Sequence, residues 1–302
     1  MSSEITKAMV QQFSDNLIML AQQKGSRLRD RVMSKVVTGN AAYFERLGPT
    51  DVILRTSRHS PSPMIDTPHS RRMVTINSYE WGDAVDKQDE IRVIIDPKGA
   101  YSMNAADAFG RKIDDLLISA ASGSSTSVSS SLPNADNRTS VSLPSGQKVD
   151  EDFGTANSNL TIAKLIETRR ILAHNDVDEN EELTFVYNAS ALAALLNTTQ
   201  ITSADYNSVK ALVKGEVDSF MGFKFVRTER IAGVADGTDT SPKLCLAFAK
   251  SGLALAIGRD VNVRIAERAD MGFMTYIYGS MDLGATRVEE EKVVEVQCVQ
   301  AA

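Results

Sequence analysis

The chain has 302 residues, enough to bury a sizeable core as one elongated body or as two modest domains. Its 33 basic and 39 acidic residues give a formal net charge of −6, and the pI is near 5.3, which argues against a nucleic-acid binder that relies on phosphate contacts. Aromatic residues make up 6% of the chain and Trp81 is the single tryptophan, which argues against a carbohydrate-stacking surface or a platform for single-stranded nucleic acid.

The first predicted element is an amphipathic helix over Ile5 to Gln22. Apolar side chains recur at helical spacing at Met9, Phe13 and Leu17, with polar residues on the other faces. One apolar stripe of this kind needs a partner surface. The segment carries acidic residues instead of a signal-peptide core, and no apolar run in the chain is long enough to cross a bilayer. We therefore expect a soluble protein that is made in the cytosol.

A basic stretch follows from Lys24 to Lys35, with Asp30 as its single acidic residue. One interpretation is an arm that contacts acidic surfaces of neighbouring molecules. The alternative is a solvated connector helix, and the composition does not separate the two. In the first interpretation the contact candidates are Arg27, Arg29 and Arg31.

Residues Leu47 to Asp96 are predicted to form an extended hairpin. Two β-like runs, Val52 to Thr56 and Met73 to Tyr79, flank a turn-rich tip that carries Pro61, Pro63 and Pro68. A two-stranded arm has too little core to be stable alone in water. We therefore expect this hairpin to lie on another surface.

Arginines and histidines are concentrated in the same hairpin. One interpretation is that the arginines form ion pairs with acidic patches on a neighbouring subunit, where bidentate pairing gives geometric specificity. The alternative is a solvated basic hairpin, in which each exposed pair contributes less than about 1 kcal/mol. The candidate contact residues are Arg55, Arg58, Arg71 and Arg72, and His59 and His69 lie among them.

A long helix is predicted after a break at Pro97 to Gly99. Asn104 suits the N-cap and Gly123 the stop, so the helix is expected to end at Ser122. Its predicted apolar face consists of Ala106, Phe109, Ile113, Leu116, Leu117 and Ala120.

The segment from Ser122 to Asn159 is poor in hydrophobic residues and rich in Ser, Gly, Asn and Asp. Alternation over Thr139 to Leu143 predicts a small hairpin within it, and a flexible linker is the alternative. A second helix is predicted over Ile162 to His174, with Thr161 as its N-cap. We expect His174 to interact with the last carbonyls of that helix. The side chains predicted to pack inward are Ile162, Leu165, Ile166 and Leu172.

The remaining elements are mainly strands. They are predicted at Leu183 to Asn188, Phe223 to Arg227, Leu244 to Ala249 and within Val261 to Val299, with a short helix from Ser190. The turn-rich stretches Gln200 to Ser208 and Ala232 to Pro242 read as loops. The two cysteines, Cys245 and Cys298, lie in strand-like apolar contexts without metal-ligand spacing, so buried free thiols are favoured over a disulfide or a metal site.

No constellation of catalytic residues is recognisable. The phosphate-binding, dinucleotide-binding, zinc-protease, serine-hydrolase and Cys-x-x-Cys motifs are all absent from the sequence. Asp114 and Asp115 are adjacent, as are the carboxylates of Glu289 to Glu291, and we interpret both groups as solvated faces because neighbours on a helix diverge by about 100°. We therefore expect no catalytic residue, no cofactor and no metal.

Three segments carry a resemblance to a known family. Val209 to Thr228 resembles a segment of tailed-phage major capsid proteins, and Lys112 to Gly123 resembles the end of the long spine helix in the same family. Gly284 to Val288, followed by Lys292 to Cys298, is similar to the closing strands of these coat proteins. The three occur in the family's order at about the right separations, and with the N-terminal arm the resemblance spans most of the chain.

The resemblance implies an α+β fold of the Hong Kong phage major capsid type. The implied organisation is an N-terminal arm over residues 1–46, an E-loop hairpin over 47–96 and a peripheral domain over 97–180 that includes the spine helix and the Ser/Gly-rich loop. An axial domain over 181–258 and return strands of the peripheral domain over 259–302 complete it. Some relatives cross-link the E-loop through a lysine, but this chain has no lysine between Leu47 and Tyr79, so we expect no such bond.

The function implied by the resemblance is that of a self-assembling head protein of a tailed phage, located in the virion after assembly in the host cytoplasm. Its partners would be other copies of itself in pentamers and hexamers, a portal, a scaffolding protein and in some cases a decoration protein. The shell would enclose DNA without binding it sequence-specifically. An encapsulin-like compartment shell is the alternative of the same shape. A tail-tube or decoration protein and a soluble enzyme are further alternatives.

Overall fold

A computed structural model describes residues 22–59, 61–85, 97–128, 138–155, 158–197, 219–231 and 243–299. The chain divides into two compact units. One consists of residues 1–26, 78–112 and 259–282, and the other of residues 27–77, 113–258 and 283–302. The helix predicted over residues 5–22 lies outside the described residues except for its end, and the loops predicted at 200–208 and 232–242 lie wholly outside them.

Three α-helices and fourteen strands are present in the described part of the chain. The helices are α1 (Pro97–Ser122), α2 (Ile162–His174) and α3 (Ala189–Asn197), and short 3-10 turns occupy Arg29–Arg31, Ser145–Gln147, Lys250–Gly252 and Ala269–Met271. The strands are β1 (Met33–Val36), β2 (Ala41–Leu47), β3 (His69–Thr75), β4 (Asn77–Val85), β5 (Ser125–Val128), β6 (Arg138–Val141), β7 (Lys148–Val149), β8 (Leu183–Tyr187), β9 (Ser219–Phe220), β10 (Phe223–Arg227), β11 (Lys243–Ala249), β12 (Leu253–Arg268), β13 (Met274–Arg287) and β14 (Val293–Cys298).

A six-stranded sheet with the order β7-β14-β11-β8-β10-β9 forms the main core of the larger unit. The strands predicted at Leu183 to Asn188, Phe223 to Arg227 and Leu244 to Ala249 are confirmed as β8, β10 and β11. The turn between β9 and β10 places Met221 at φ 53° and Gly222 at φ 82°, a left-handed conformation that glycine adopts readily.

Helix α2 covers one face of this sheet and has the bounds that the sequence predicts. The hydroxyl of Thr161 accepts a hydrogen bond from the backbone N–H of Lys164 at 3.3 Å, which confirms the predicted N-cap. Leu165 and Leu172 are buried in the same cluster as the sheet residues, but Ile166 is 53% exposed. The prediction that Ile166 packs inward was wrong, since the helix turns that position away from the sheet.

A second sheet in the larger unit has the order β2-β3-β5-β6. Strands β5 and β6 pair antiparallel and confirm the small hairpin predicted in the Ser/Gly-rich segment. The prediction of a strand over Val52 to Thr56 was wrong: these residues, all described, are not in a strand. The hairpin is instead formed by β2 and β3, because Ala42, Phe44 and Val74 share one buried face there.

Helix α1 ends at Ser122 as predicted, but it begins at Pro97 and not at Asn104. Proline is tolerated in the first turn of a helix because its missing N–H would have no partner there. The predicted break at Pro97 to Gly99 is therefore the helix start. Phe109, Ile113 and Leu117 of the predicted apolar face are buried, whereas Ala106 is exposed and Ala105 is buried in its place.

A third sheet has the order β1-β12-β13-β4. Strand β1 pairs parallel with β12, and Met33 lies opposite Ala254. In the smaller unit, glycines allow aromatic rings to lie against the strands: a Cβ at Gly279 would come within 2.5 Å of the Phe109 ring. Among the described residues no helix is long and apolar enough to span a membrane.

Candidate subunit-interaction surfaces

The connection between β2 and β3 exposes a run of apolar side chains to solvent. Val52 is 96% exposed, Leu54 84% and Met64 98%, and Ile53 and Ile65 are also exposed. Several large apolar side chains exposed in one short connection are uncommon on a soluble monomer and favour an interaction site. These five residues are called the apolar tip below.

Two predicted contact arginines lie beside the apolar tip. Arg55 Nε donates to the carbonyl oxygen of Ser57 at 2.9 Å, and Nη2 donates to that of Arg58. Arg58 is exposed. The guanidinium of Arg55 therefore fixes a local turn while its charge remains at the surface.

Arg71 and Arg72 are neighbours on β3 and point to opposite sides of the strand. Arg71 forms an exposed cross-strand ion pair with Glu45, with 3.0 Å between Nη2 and Oε1. An exposed pair of this kind contributes at most about 1 kcal/mol. Arg72, in contrast, is 2% exposed and turns into the body of the larger unit.

Arg72 belongs to a buried polar group that we call the Glu290 cluster, which consists of Arg46, Arg72, Ser125, Arg287 and Glu290. Arg72 Nη2 lies 2.5 Å and 2.6 Å from the two carboxylate oxygens of Glu290. Arg46 Nη1 donates to Glu290 Oε2 at 3.3 Å and the Ser125 hydroxyl donates to Oε1 at 3.3 Å. Arg72 is thus bound within its own chain, which does not fit the prediction that it contacts a neighbour.

Arg287 connects the Glu290 cluster to the end of α1. Its Nη1 donates to the carbonyl oxygens of Ala121 at 2.9 Å and Gly123 at 2.6 Å, and Nη2 donates to that of Val141 at 3.0 Å. Burial lowers the pKa of Arg287, and the nearby charge of Glu290 opposes that effect. The interpretation of Glu290 as part of a solvated face was wrong, because it is the carboxylate around which these buried arginines gather.

Part of the basic stretch at Lys24 to Lys35 is also bound within the chain. Asp114 is fully buried and accepts hydrogen bonds from the backbone N–H groups of Arg27 and Leu28, so the solvated interpretation of Asp114 was wrong as well. The Arg27 guanidinium donates to the carbonyl oxygen of Arg227. Arg29 is half-buried in the 3-10 turn.

Arg31 and Lys224 both pair with Glu182. Arg31 Nη1 forms an ion pair with Glu182 Oε1, and Lys224 Nζ lies 3.0 Å from the same oxygen. Partial burial acts to raise the pKa of the Glu182 carboxyl, but the hydrogen bonds and charges of Lys224 and Arg31 outweigh it, so the pKa is lowered. The carboxylate is therefore ionised and stabilising at neutral pH.

We expect Glu182→Gln to reduce stability at neutral pH and not in acid. A lowered native pKa gives stability that is present above the ordinary pKa, near 4.5, and lost as the pH falls through the native value. The variant should be less stable than wild type by on the order of 1 kcal/mol at pH 7, because the pairs are partly exposed. Urea unfolding from pH 7 to pH 3 measures the difference.

The matched control for this prediction is Glu179→Gln, an exposed glutamate in the same loop. The stability of Glu179→Gln should stay close to that of wild type at every pH of the series. A Glu182→Gln difference that persists unchanged at the acid end would contradict the role of Glu182 as a paired carboxylate.

The described residues contain no group of three or more His, Cys, Asp or Glu side chains that could hold a metal ion. Cys245 and Cys298 are buried free thiols, as the sequence predicts. His59, His69 and His174 are all exposed.

The family model described as phage capsid protein matches residues 5–300, nearly the whole chain. The chain belongs to the phage capsid protein family. It is a structural protein of the virion, and the resemblance seen in its sequence is confirmed. No curated protein matches this capsid protein in sequence.

Solved capsid structures share the fold of this capsid protein. The capsid of cyanophage P-SCSP1u matches with a TM-score of 0.72 and 17% identity, over 98% of this chain and 94% of that one. The cyanophage Pam1 capsid matches with a TM-score of 0.71 and 13% identity, over 98% of each chain. The capsid of Ralstonia phage GP4 matches with a TM-score of 0.70 and 11% identity, over 97% of this chain and 96% of that one. The predicted α+β major capsid fold is thus confirmed.

Proposed function

We propose that this capsid protein forms the pentamers and hexamers of an icosahedral head that encloses the double-stranded DNA of a tailed phage. The family match over residues 5–300 carries the proposal, and the capsid structures of similar fold support it. The net charge of −6 suits a container, since a shell that gripped phosphates tightly would hinder packaging and release of the genome.

In the assembled head, the apolar tip lies on a neighbouring copy. Burying a large apolar side chain contributes about 1.5–3 kcal/mol, so a tip with five such side chains is a substantial contact. The same contact recurs in every capsomer, and symmetry and multivalency make many modest contacts jointly durable. The tip belongs to the E-loop of residues 47–96, between an arm over 1–46 and the peripheral and axial segments 97–180, 181–258 and 259–302.

The exposed arginines beside the apolar tip supply the polar part of that contact. Arg55 and Arg58 remain at the surface, and Arg71 forms an exposed pair with Glu45, so all three can meet acidic patches on the neighbour. We leave Arg72 out of this set because it is buried. Arg27, Arg29 and Arg31 stay candidates for contacts between the N-terminal arm and a neighbouring copy.

The role is mechanical and involves no catalytic residue, cofactor or metal. Further partners of the subunit are a portal and a scaffolding protein, and in some phages of this kind a decoration protein. Assembly takes place in the host cytoplasm. The alternative of an encapsulin-like shell, whose particles would contain an enzyme in place of DNA, is not favoured by the family match.

Electron microscopy of the recombinant chain, with and without phage lysate components, tests the proposal. We expect closed shells or capsomers, and particles from infected cells should contain DNA and a portal. Tubes, rings or surface knobs would indicate a tail or decoration protein, and a chain that stays a monomer or dimer under all these conditions would contradict the shell function.

A further inference from the structure

Cys245 and Cys298 meet on one face of the β11–β14 pair. Cys245 lies opposite Val296 and Cys298 opposite Lys243, so the two cysteines are diagonal neighbours across the ladder. Both are 2% exposed, and their Sγ atoms are 3.9 Å apart, in S–H···S contact. The strands that carry them are adjacent in the interior of the six-stranded sheet.

We propose that this thiol pair is a modification site, at which a small peroxide-class oxidant converts Cys245 and Cys298 into an intramolecular disulfide. The inference rests on the fold of the larger unit and is independent of the proposed shell function. A disulfide has an S–S distance of about 2.05 Å, so each sulfur moves by about 1 Å. The Cα atoms of diagonal neighbours are about 7–8 Å apart, beyond the span of an unstrained disulfide. Rotations about the Cα–Cβ bonds and a small shift of the two strands must therefore supply that movement together.

The surroundings of the pair make the two sulfurs unequal. Lys164 is fully buried, and its Nζ donates to the carbonyl oxygens of Ser158 at 2.7 Å and Gln297 at 2.9 Å, next to Cys298 in sequence. The hydrogen bond between the two thiols and the charge of Lys164 lower the pKa of Cys298 despite its burial. The same hydrogen bond, together with burial, raises the pKa of Cys245. Cys298 is therefore the sulfur that ionises first.

The chemistry balances in two steps. The Cys298 thiolate attacks one oxygen of hydrogen peroxide, which breaks the O–O bond, forms a sulfenic acid and releases hydroxide. The Cys245 sulfur then attacks the sulfenic sulfur, the S–S bond forms, and the Cys245 proton leaves with the hydroxyl group as water. Peroxide is reduced by two electrons and the thiol pair is oxidised by two. An oxidant near the size of water is required because the site is buried.

The disulfide would join the two interior strands covalently. It would close a loop over residues 246–297, and a cross-link over a loop of this length raises the Tm of a domain by about 5–10 °C unless strain opposes it. The modified subunit would therefore be more resistant to heat than the reduced one.

The test treats the full wild-type chain with graded hydrogen peroxide, blocks remaining thiols with N-ethylmaleimide in denaturant, and maps unreduced peptides by mass spectrometry. We expect a linked Cys245–Cys298 peptide, lighter by two hydrogens than the sum of its parts, with a higher Tm of the treated protein. The proposal is overturned by linked peptides between chains only, or by no linked peptide at a peroxide dose that oxidises both cysteines of the urea-unfolded chain.

Two single variants test the order of the steps. In Cys245→Ala the sulfenic acid on Cys298 has no partner and should be trapped by dimedone when the peroxide is removed and the chain is then unfolded in urea that contains dimedone. In Cys298→Ala the remaining Cys245 should stay a thiol at the same dose. Equal dimedone labelling of the two variants would overturn the assignment of Cys298 as the reacting sulfur. The wild-type mapping decides the linkage even if a variant fails to fold.

Discussion

Replacing Glu290 with alanine will lower the free energy of unfolding of the subunit by about 3–5 kcal/mol. The carboxylate is the counter-charge of Arg72 at 2.5 Å and 2.6 Å, and it lies 3.6 Å from Arg287 Nε. Its removal leaves two buried guanidinium groups without that charge, and an uncompensated buried charge is far more costly than the pair was favourable. Urea unfolding of the unassembled subunit, followed by circular dichroism, measures the loss.

The neighbouring residue provides the matched control. Glu289 forms a more exposed pair with Lys292 at 3.3 Å, so Glu289→Ala should change the stability by less than about 1 kcal/mol. Glu290→Gln keeps the shape of the side chain and loses its charge. Its loss of stability should therefore lie between those of Glu289→Ala and Glu290→Ala. A Glu290→Ala subunit within about 1 kcal/mol of wild type would contradict the central place of this carboxylate.

The same experiment separates the two interpretations of Arg72. If Arg72 acts within its own subunit, Arg72→Ala should destabilise the free subunit. The double variant with Glu290→Ala should then lose less stability than the sum of the two single losses. A contact with a neighbouring subunit predicts normal stability and a defect in assembly alone. The burial of Arg72 favours the first outcome.

The sequence predicts best those elements whose pattern is local. Helix α2 has the predicted bounds because its N-cap at Thr161 and its apolar spacing both lie within the helix itself. Strand β14 is similar, since Val294, Val296 and Cys298 alternate into the core as predicted. The start of α1 was misplaced because Pro97 and Gly99 are typical of a break, and both are also compatible with the first turn of a helix.

The hairpin shows where local patterns mislead. Apolar and β-branched residues at Val52 to Thr56 predict a strand, yet in this chain they are exposed and not in a ladder. A strand forms where a partner pairs with it, and the described neighbours of this segment do not. The pattern over Val52 to Thr56 thus agrees with a segment that finds its partner surface outside its own chain.

The buried charges could not be predicted from spacing at all. Arg72 and Glu290 are 218 residues apart, and Arg27 and Asp114 are 87 apart, so no helical or strand periodicity connects them. Asp114 and Glu290 each sit beside other acidic residues, which favoured a solvated interpretation. Their burial follows from chain topology, which brings cationic or N–H donors to each carboxylate.

The second large effect is expected at the apolar tip. The triple variant Ile53→Asp, Leu54→Asp and Met64→Asp should abolish assembly and leave the isolated subunit as stable as wild type, within about 0.5 kcal/mol. These positions are 62%, 84% and 98% exposed, so charge there costs the free subunit little. On a neighbour they would be buried, and the loss of about 1.5–3 kcal/mol for each side chain weakens every contact by more than about 1000-fold.

The control variant Ile53→Leu, Leu54→Met and Met64→Leu keeps the apolar area and should assemble. Sedimentation and electron microscopy measure particles, and urea unfolding measures the subunit. Wild-type yields of shells from the aspartate variant would show that the tip remains in solvent in the particle. Loss of stability in the free aspartate variant would instead mean that the tip packs on its own body. The expected combination, an intact subunit that cannot build a shell, arises only if the tip is covered by another copy.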